Sequence, residues 1–299
     1  MLKNIVSKLY SHQEEQYLEL IRDLIKENNE EKSRSGDTLT NIGSSMYFSL
    51  ENNKIPILTT KKVAVKTCIK ELLWFLNGNT NNKLLKEQNV KIWNDNASKS
   101  FLESRGLDYE EDDLGPVYGH QWRFFNAEYK TCNDDYSNKG VDQIQILIDN
   151  LKNPETRYSR RHIVSAWNPI QVDKMALPPC HVLFQFHVTR NNKLSCSLYQ
   201  RSGDIGLGVP FNIMSYSALT ILIANHCDLE PYEFIYYIGN THIYKEHIEA
   251  LKEQVNRIPY EFPTMTVNKK RQNINDYVLE DFNIKDYVFH DKINMKMNI

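Results

Sequence analysis

Apolar residues recur along this chain at two periods, and the switches between them mark out its elements. Between positions 181 and 201 the period is two. His181-Val-Leu-Phe-Gln-Phe-His-Val-Thr189 alternates apolar with polar or aromatic side chains, as does Leu194-Ser-Cys-Ser-Leu-Tyr-Gln-Arg201. The short polar run Arg190-Asn191-Asn192-Lys193 joins them, which reads as a β-hairpin. Further strands are expected over Met46–Leu50, Ile55–Leu58 (a sheet edge, since it carries Pro56), His162–Trp167, Glu233–Ile238 and Thr264–Val267. Elsewhere the spacing is helical: Tyr17, Leu20, Ile21, Leu24 and Ile25; then Val65, Ile69, Leu72, Leu73 and Leu76, closed by Asn77-Gly78. Ile144, Leu147, Ile148 and Leu151 define a helix over Asp142–Lys152, stopped by Asn153-Pro154. Tyr216, Leu219, Leu222 and Ile223 define one starting near Asn212, and Ile248, Leu251 and Val255 one ended by Pro259.

The polar stretches fill in the rest. Residues 1–10 read as a loose lead-in, and Ser11-His-Gln-Glu14 fits a capping box for the first helix. Arg34-Ser-Gly-Asp-Thr38 reads as a polar turn, 94–113 and 126–140 as surface excursions, and Leu114-Gly-Pro-Val-Tyr-Gly119 as a turn. Thr80 is expected to cap a short helix through Leu84-Leu85, and Gly239–Tyr244 to lead into the following helix. Glu71 stands directly before Leu72-Leu73-Trp74-Phe75, where an acid is expected on the solvent edge. Strands and helices alternate without a βαβ rhythm, which points to an α+β fold in a single domain.

Composition narrows the class. The 36 Lys and Arg against 38 Asp and Glu leave no basic footprint for general nucleic-acid or anionic-membrane binding. The five cysteines are odd in number and lack C-x-x-C spacing, so neither a disulfide framework nor a zinc knuckle is expected. No apolar run is long enough to span a bilayer, and the N-terminus lacks a signal-like apolar region, so a cytoplasmic globular protein is expected.

Candidate chemistry centres on Leu177–Asn212. A tight hairpin puts the first residues of one strand beside the last of the other, so Cys180 is expected beside Arg201, whose charge would favour the thiolate. In one reading Cys180 and His181 make a cysteine hydrolase, but neighbours on a strand point to opposite faces, which places His181 poorly as the base. In the other, Cys180 attacks an electrophilic carbon of an anionic small molecule. Arg34, Arg160-Arg161, Arg201 and Arg123 are more guanidinium than a peptide hydrolase needs and suit a phosphomonoester. Ser202 adds a hydroxyl, and Asn212 offers a donor and an acceptor side by side, suited to a pyrimidine edge. Gly203, Gly206 and Gly208 match neither the dinucleotide fingerprint nor the phosphate-loop spacing.

Over residues 17–299 the chain resembles the thymidylate synthase family. The matching stretches are Glu71-Leu-Leu-Trp-Phe-Leu-Asn-Gly78, Asp113-Leu-Gly-Pro-Val-Tyr-Gly119, Arg160-Arg161-His162-Ile163 and Met175-Ala-Leu-Pro-Pro-Cys-His181. They continue with Leu198-Tyr-Gln-Arg-Ser-Gly-Asp204, Gly208-Val-Pro-Phe-Asn212 and Thr241-His-Ile-Tyr244, all in the family's order. The resemblance implies one catalytic domain over 17–299 after a lead-in of 1–16, with a mixed or antiparallel sheet covered by helices and a sheet-mediated homodimer. It implies reductive methylation of dUMP to dTMP, with 5,10-methylenetetrahydrofolate as one-carbon and hydride donor and no metal. Cys180 would be the nucleophile at uracil C6, with Glu71, Tyr118 and Arg201 as its catalytic companions. Arg34, Arg201, Ser202, Gly203, Asp204, Asn212, His242 and Tyr244 would bind dUMP, joined by Arg160 and Arg161 from the partner subunit. Trp93, Asp204, Leu207, Gly208, Phe211 and Asn298 would bind folate, and the C-terminal residues ending in Ile299 would close over the ligands. On this resemblance Glu71 belongs in the site rather than on the solvent edge. The chain departs from the family pattern at Arg34-Ser-Gly-Asp-Thr38, at Asn94 and at Ala64. A uridylate hydroxymethylase of the same fold and a non-catalytic nucleotide- or RNA-binding relative are the alternatives; Asn212 argues against a cytosine substrate, and the intact Cys180, Glu71 and Arg201 against a non-catalytic role.

Overall fold

The structure is a computed structural model that describes residues 2–33 and 36–297; Arg34, Asn298 and Ile299 lie outside the described residues. In chain order the elements are α1 (Leu2–Leu9), α2 (Glu15–Glu27), β1 (Glu30–Ser33), β2 (Gly36–Ser49), α3 (Val65–Leu76), α4 (Lys83–Lys86) and α5 (Lys99–Ser104). They continue with α6 (Tyr118–Phe124), α7 (Gln143–Lys152), β3 (Ile163–Ser165), β4 (His181–Val188), β5 (Lys193–Asp204) and α8 (Gly208–His226). The last are β6 (Glu230–Tyr244), α9 (Ile248–Gln254), β7 (Thr264–Val267) and β8 (Phe282–Lys285).

The architecture is α+β, as the pattern implied. A mixed sheet runs β1-β2-β6-β5-β4-β3, antiparallel throughout except for the parallel β5–β6 pair; β7 and β8 form a separate ribbon. Cross-strand partners share a face. The row Phe184–Leu198–Tyr236–Met46 is buried. The neighbouring row Leu183–Tyr199–Tyr237–Ser45 is not: Tyr199 and Tyr237 are each 44% exposed. The buried face packs on α8, which is apolar round most of its circumference and carries Asn212, Asn225 and His226 near its ends, as suits a helix sunk in a core. Beside it lies α3, burying Cys68, Ile69, Leu72, Leu73, Trp74, Phe75 and Leu76.

Several local readings give way to tertiary packing. Residues 2–9 are helical rather than loose, with Val6 buried. Of the turn expected at 34–38, residues 36–38 are instead the start of β2, paired with β1 on one side and, from Thr38, with β6 on the other, while residues 34 and 35 lie outside the described residues. Ile55–Leu58 is buried but joins no ladder; the Ile55 N–H donates instead to the Pro263 carbonyl at 2.9 Å. Thr80 caps nothing, since its hydroxyl meets that of Tyr129 at 2.8 Å. The 94–113 excursion contains α5, capped by Ser98, and Tyr118 opens α6 rather than closing a turn. Residues 239–244 extend β6, a central strand bonded on both edges, so its ladders override the Gly239-Asn240 signal.

The capping box is also absent. Glu14 is fully buried, and its carboxylate turns inward to accept four hydrogen bonds, from the backbone N–H and hydroxyl of both Thr59 and Thr60, at 2.6–2.9 Å. This pins the start of α2 to the segment that enters α3. Removing the carboxylate would orphan those donors in a dry interior. We therefore expect Glu14→Ala to lower unfolding stability by about 3–5 kcal/mol, and Glu14→Gln by less, since one acceptor oxygen remains. Urea unfolding checks this, and a change in Glu14→Ala below about 0.5 kcal/mol, the range of an ordinary surface substitution, would count against it.

Candidate active site

The hairpin of β4 and β5 forms as its alternation implied, with one irregularity between His181 and Leu183. Its register does bring Cys180 beside Arg201. The Arg201 backbone N–H donates to the Cys180 carbonyl at 2.9 Å. The guanidinium donates through Nε to the Pro179 carbonyl at 2.9 Å and through Nη2 to that of Pro178 at 2.8 Å. The Arg side chain therefore fastens the loop that carries the thiol.

The thiolate expectation needs correction. Burial pushes the Cys180 thiol above its ordinary value, and the Arg201 charge offsets that only in part. The resting group is a recessed thiol that must shed a proton before it attacks.

Two adjoining cavities open at this sulfur. One, of about 600 Å³, is walled by Thr38, Thr40, Arg201, Ser202, His242 and Tyr244 among others. The second, of about 440 Å³, is lined by Phe75, Ile92, Trp93, Leu207, Phe211 and Met295, with Glu71, Tyr118 and Asn212 as polar points. Cys180, Ser202, Asp204, Leu177 and Asn96 border both. Strand geometry explains the polar set: Ser202 and Asp204 follow one another on one face of β5, and His242 and Tyr244 do so on adjacent β6. Gly208, at the start of α8, also lines the second cavity.

Glu71 lies in the pocket rather than on the solvent edge. Its Oε1 accepts the Trp93 indole N–H at 2.8 Å, and burial pushes its carboxyl up to about 7 despite that bond. The Tyr118 hydroxyl accepts the Cys180 backbone N–H at 2.8 Å; burial drives its phenol far up, so it stays protonated. The Asn212 amide nitrogen donates to His181 Nε2 at 2.7 Å, and burial lowers the His181 imidazole to about 4. A ring whose basicity burial has lowered, and whose Nε2 already accepts from Asn212, is a poor base for a cysteine hydrolase. His242 is also held neutral by burial, against the pull of Asp204, with Nδ1 at 3.0 Å from Asn240 Oδ1.

Not every expected residue joins the site. Gly203 is buried with its Cα facing Ile238 and Val209, and lines neither cavity. Arg160 and Arg161 are exposed on the turn before β3, away from both cavities. Arg123 is no anion clamp: it is buried and spends its guanidinium on Asp142, at 2.9 and 2.8 Å, on the Leu76 carbonyl and on Asn275. Arg34 and Asn298 fall outside the described residues.

Two residues, Asn96 and Gln200, went unread, and His181 has another role than the base weighed for it. Asn96 is 8% exposed yet sits in a polar run that looked like surface. His181 orients Asn212. Gln200 takes the Tyr236 hydroxyl at 2.6 Å and donates to the Ser202 carbonyl at 2.8 Å; its place two before Ser202, on the same strand face, was the available signal.

A recessed thiol at the seam of a polar and an apolar compartment defines an enzyme site for a thiol nucleophile and two ligands. Comparison with known proteins agrees. Residues 15–299 match the family described as thymidylate synthase. The chain is 49% identical over 299 residues to thymidylate synthase of Saccharomyces cerevisiae, covering 96% of this chain and 97% of that protein. It is 51% identical over 290 residues to a bifunctional dihydrofolate reductase-thymidylate synthase of Paramecium tetraurelia, covering 96% of this chain and 62% of that protein. To the bifunctional protein of Plasmodium berghei it is 50% identical over 292 residues, covering 97% and 49%. The chain thus spans about half to three-fifths of the length of these bifunctional relatives. The chain belongs to the thymidylate synthase family.

The Glu71 environment has a measurable consequence. A carboxyl raised from 4.5 to about 7 on folding favours the native state when protonated. Its contribution is fully present below about pH 4.5 and is lost as pH rises through about 7. Subtracting the stability profile of Glu71→Gln from that of the wild type should expose this decline. Parallel profiles across that window would show the shift to be absent.

Proposed function

We propose that the protein catalyses reductive methylation of dUMP to dTMP, with 5,10-methylenetetrahydrofolate consumed and dihydrofolate released. The observation that carries this reading is the position of Cys180, recessed, beside Arg201, and bordering both a polar compartment and an apolar one. The polar compartment suits the nucleotide. Arg201 keeps Nη1 free of hydrogen-bond partners among the described residues and, with Ser202, offers donors to a phosphate. His242 and Tyr244 offer ring and hydroxyl groups to the sugar. Asn212, fixed by neutral His181, faces the uracil edge with a remaining donor and an acceptor.

The apolar compartment, with Trp93, Leu207 and Phe211 as walls and Asp204 and Asn96 as polar points, suits a flat pterin. The folate supplies the methylene carbon and the hydride that turns it into a methyl group. Sulfur of Cys180 adds to C6 as its proton leaves, and the electron pair of the C5–C6 bond makes C5 nucleophilic. Glu71, poised near neutral pH, can move a proton to and from uracil O4. Tyr118 stays protonated, so its task is to hold the Cys180 backbone and orient the water that takes the C5 proton. C5 bonds to the folate's methylene carbon. As the C5 proton leaves, the bond from that carbon to the folate nitrogen breaks. Hydride from the freed tetrahydrofolate adds to the exocyclic methylene while the Cys180 sulfur leaves C6, giving dTMP and dihydrofolate. Nothing in this sequence calls for a metal.

The exposed face of the sheet supports a homodimer. Leu183, Tyr199 and Tyr237 form a row without cover, and an apolar face of that kind is normally buried against a partner. Arg160 and Arg161, exposed and outside this chain's own cavities, are then the donors each subunit lends to the other's phosphate. No helix among the described residues is long and apolar enough to cross a membrane.

Incubation with dUMP and methylenetetrahydrofolate, followed by dihydrofolate absorbance, tests the reaction. Cys180→Ala should lower turnover by at least about a thousandfold while dUMP affinity stays within about threefold. Near-normal turnover in that variant would remove the thiol from the mechanism. Shared sites make a second demand. Chains with Cys180→Ala and chains with Arg160→Ala and Arg161→Ala, each inactive alone, should recover about a quarter of wild-type activity on random mixing, because half the dimers hold one whole site of two. Mixtures that form heterodimers yet stay inactive would refute the lending of arginines.

A further inference from the structure

Residues 291–297 form neither helix nor strand, yet Ile293 is buried, and Met295 and Met297 line the 440 Å³ compartment. A chain end with no ladder of its own frays unless something ties it down. Arg257 Nη1 holds the Asp291 carbonyl at 2.7 Å where the segment begins, and at its far end the tie is a histidine. His247, in the turn that follows β6, is 1% exposed, and its Nε2 lies 2.7 Å from the Lys296 carbonyl oxygen. A carbonyl only accepts, so Nε2 carries the proton and donates. The Glu246 carboxylate, 3.8 Å from the same nitrogen, is beyond hydrogen-bond reach.

The rest of the ring is fixed from two sides. Nδ1 is buried with no hydrogen-bond partner among the described residues. It abuts Gly206, where a Cβ would stand 2.8 Å from Nδ1 and 3.2 Å from Met295 Sδ, so ring and tail close over a residue that must lack a side chain. Gly206 is itself held, its N–H donating to Asp204 Oδ1 at 2.8 Å and its carbonyl accepting from the buried Lys61 ammonium. The ring also meets Tyr244 edge to face, at 5.7 Å and 76°. Tyr244 and Asp204 line the polar compartment, and Met295 the apolar one, so His247 touches walls of both.

We propose that His247 is a positioning residue: it anchors the C-terminal segment, through the Lys296 carbonyl and the Gly206 contact, over the folate compartment. The naming of the compartments rests on the functional reading above; the anchoring does not.

Limited trypsin cleavage after Lys292 and Lys296, followed by intact mass, reads the seating without any substrate. His247→Phe keeps a ring against Tyr244 and removes the donor. Its tail should be clipped about three- to tenfold faster than that of the wild type, the range expected for one lost hydrogen bond. His247→Gln, whose amide can restore a donor near Nε2, should bring the rate back. In turnover, His247→Phe should raise the folate KM by the same factor and leave dUMP affinity unchanged. In the wild-type chain, nitrogen NMR should show His247 as the Nε2–H tautomer, altered once the tail is clipped. A folded His247→Phe clipped at the wild-type rate overturns the proposal. Should that variant not fold, a His247 spectrum unmoved by clipping of the wild type overturns it equally. Failure of the wild type to turn over dUMP would instead remove the functional reading and leave the clipping result standing.

Discussion

The clamp between Arg201 and the loop 178–180 is the interaction on which the site depends. One side chain and one backbone N–H of the same residue hold three consecutive carbonyls, those of Pro178, Pro179 and Cys180. That does two jobs at once. It fixes the sulfur where the two compartments meet, and it parks a permanent positive charge beside it. Two prolines in the loop help, because they lack N–H groups and leave their carbonyls to be satisfied from outside. Arginine suits the task where lysine would not: its planar fork spans adjacent carbonyls and still presents Nη1 to an anion.

Burial and charge then oppose each other around the sulfur, and burial wins at rest. The same balance runs through the neighbours. Glu71 is pushed up to about 7, His181 down to about 4 and Lys61 down to about 8, each by desolvation first. The common sign is loss of charge. Desolvation of Glu71 and His181 marks a low local dielectric at the apolar compartment, so a charge arriving with a ligand is felt strongly by the donors that face it. The dry pocket is also costly to build, and Glu14 shows how the fold offsets such costs elsewhere: a buried carboxylate is tolerable when four short hydrogen bonds meet it.

Much of this was legible in the chain because it rests on local period. The β4–β5 alternation and its short connector sufficed to place Cys180 next to Arg201, and the apolar stripe of α3 placed Leu72, Leu73 and Leu76 inward. What failed were inferences from polarity to exposure. Glu71, from its local sequence, and Asn96 were expected at the surface, yet Trp93 and the pocket wall draw them inward; Glu14 and Arg123, expected as a helix cap and an anion donor, are turned inward by Thr59 and Thr60 and by Asp142. The Ser11–Glu14 spacing fits a capping box equally well whether the acid turns back to the helix or into the core; only the position of Thr59 and Thr60 decides. Strand ends failed similarly. Residues 239–244 look like a turn locally, and they are strand because β2 and β5 bond both their edges.

The extension of β6 matters for function as well as topology. Had the strand stopped at Ile238, His242 and Tyr244 would sit on a loop, each free to choose its direction. On a strand their side chains share one face, two residues apart, and the ladder to β5 sets them opposite Asp204 and its neighbours. The turn that ends the strand then delivers His247 within one helical turn of Tyr244, against the glycine that follows Ile205. A rigid central strand therefore carries groups that wall the polar compartment at its end and, just beyond, the group that meets the 291–297 segment. A site built on strands keeps its geometry to tighter tolerance than one built on loops. The tail forms neither helix nor strand and lacks such support, which is why a single buried hydrogen bond can matter there more than it would inside the sheet.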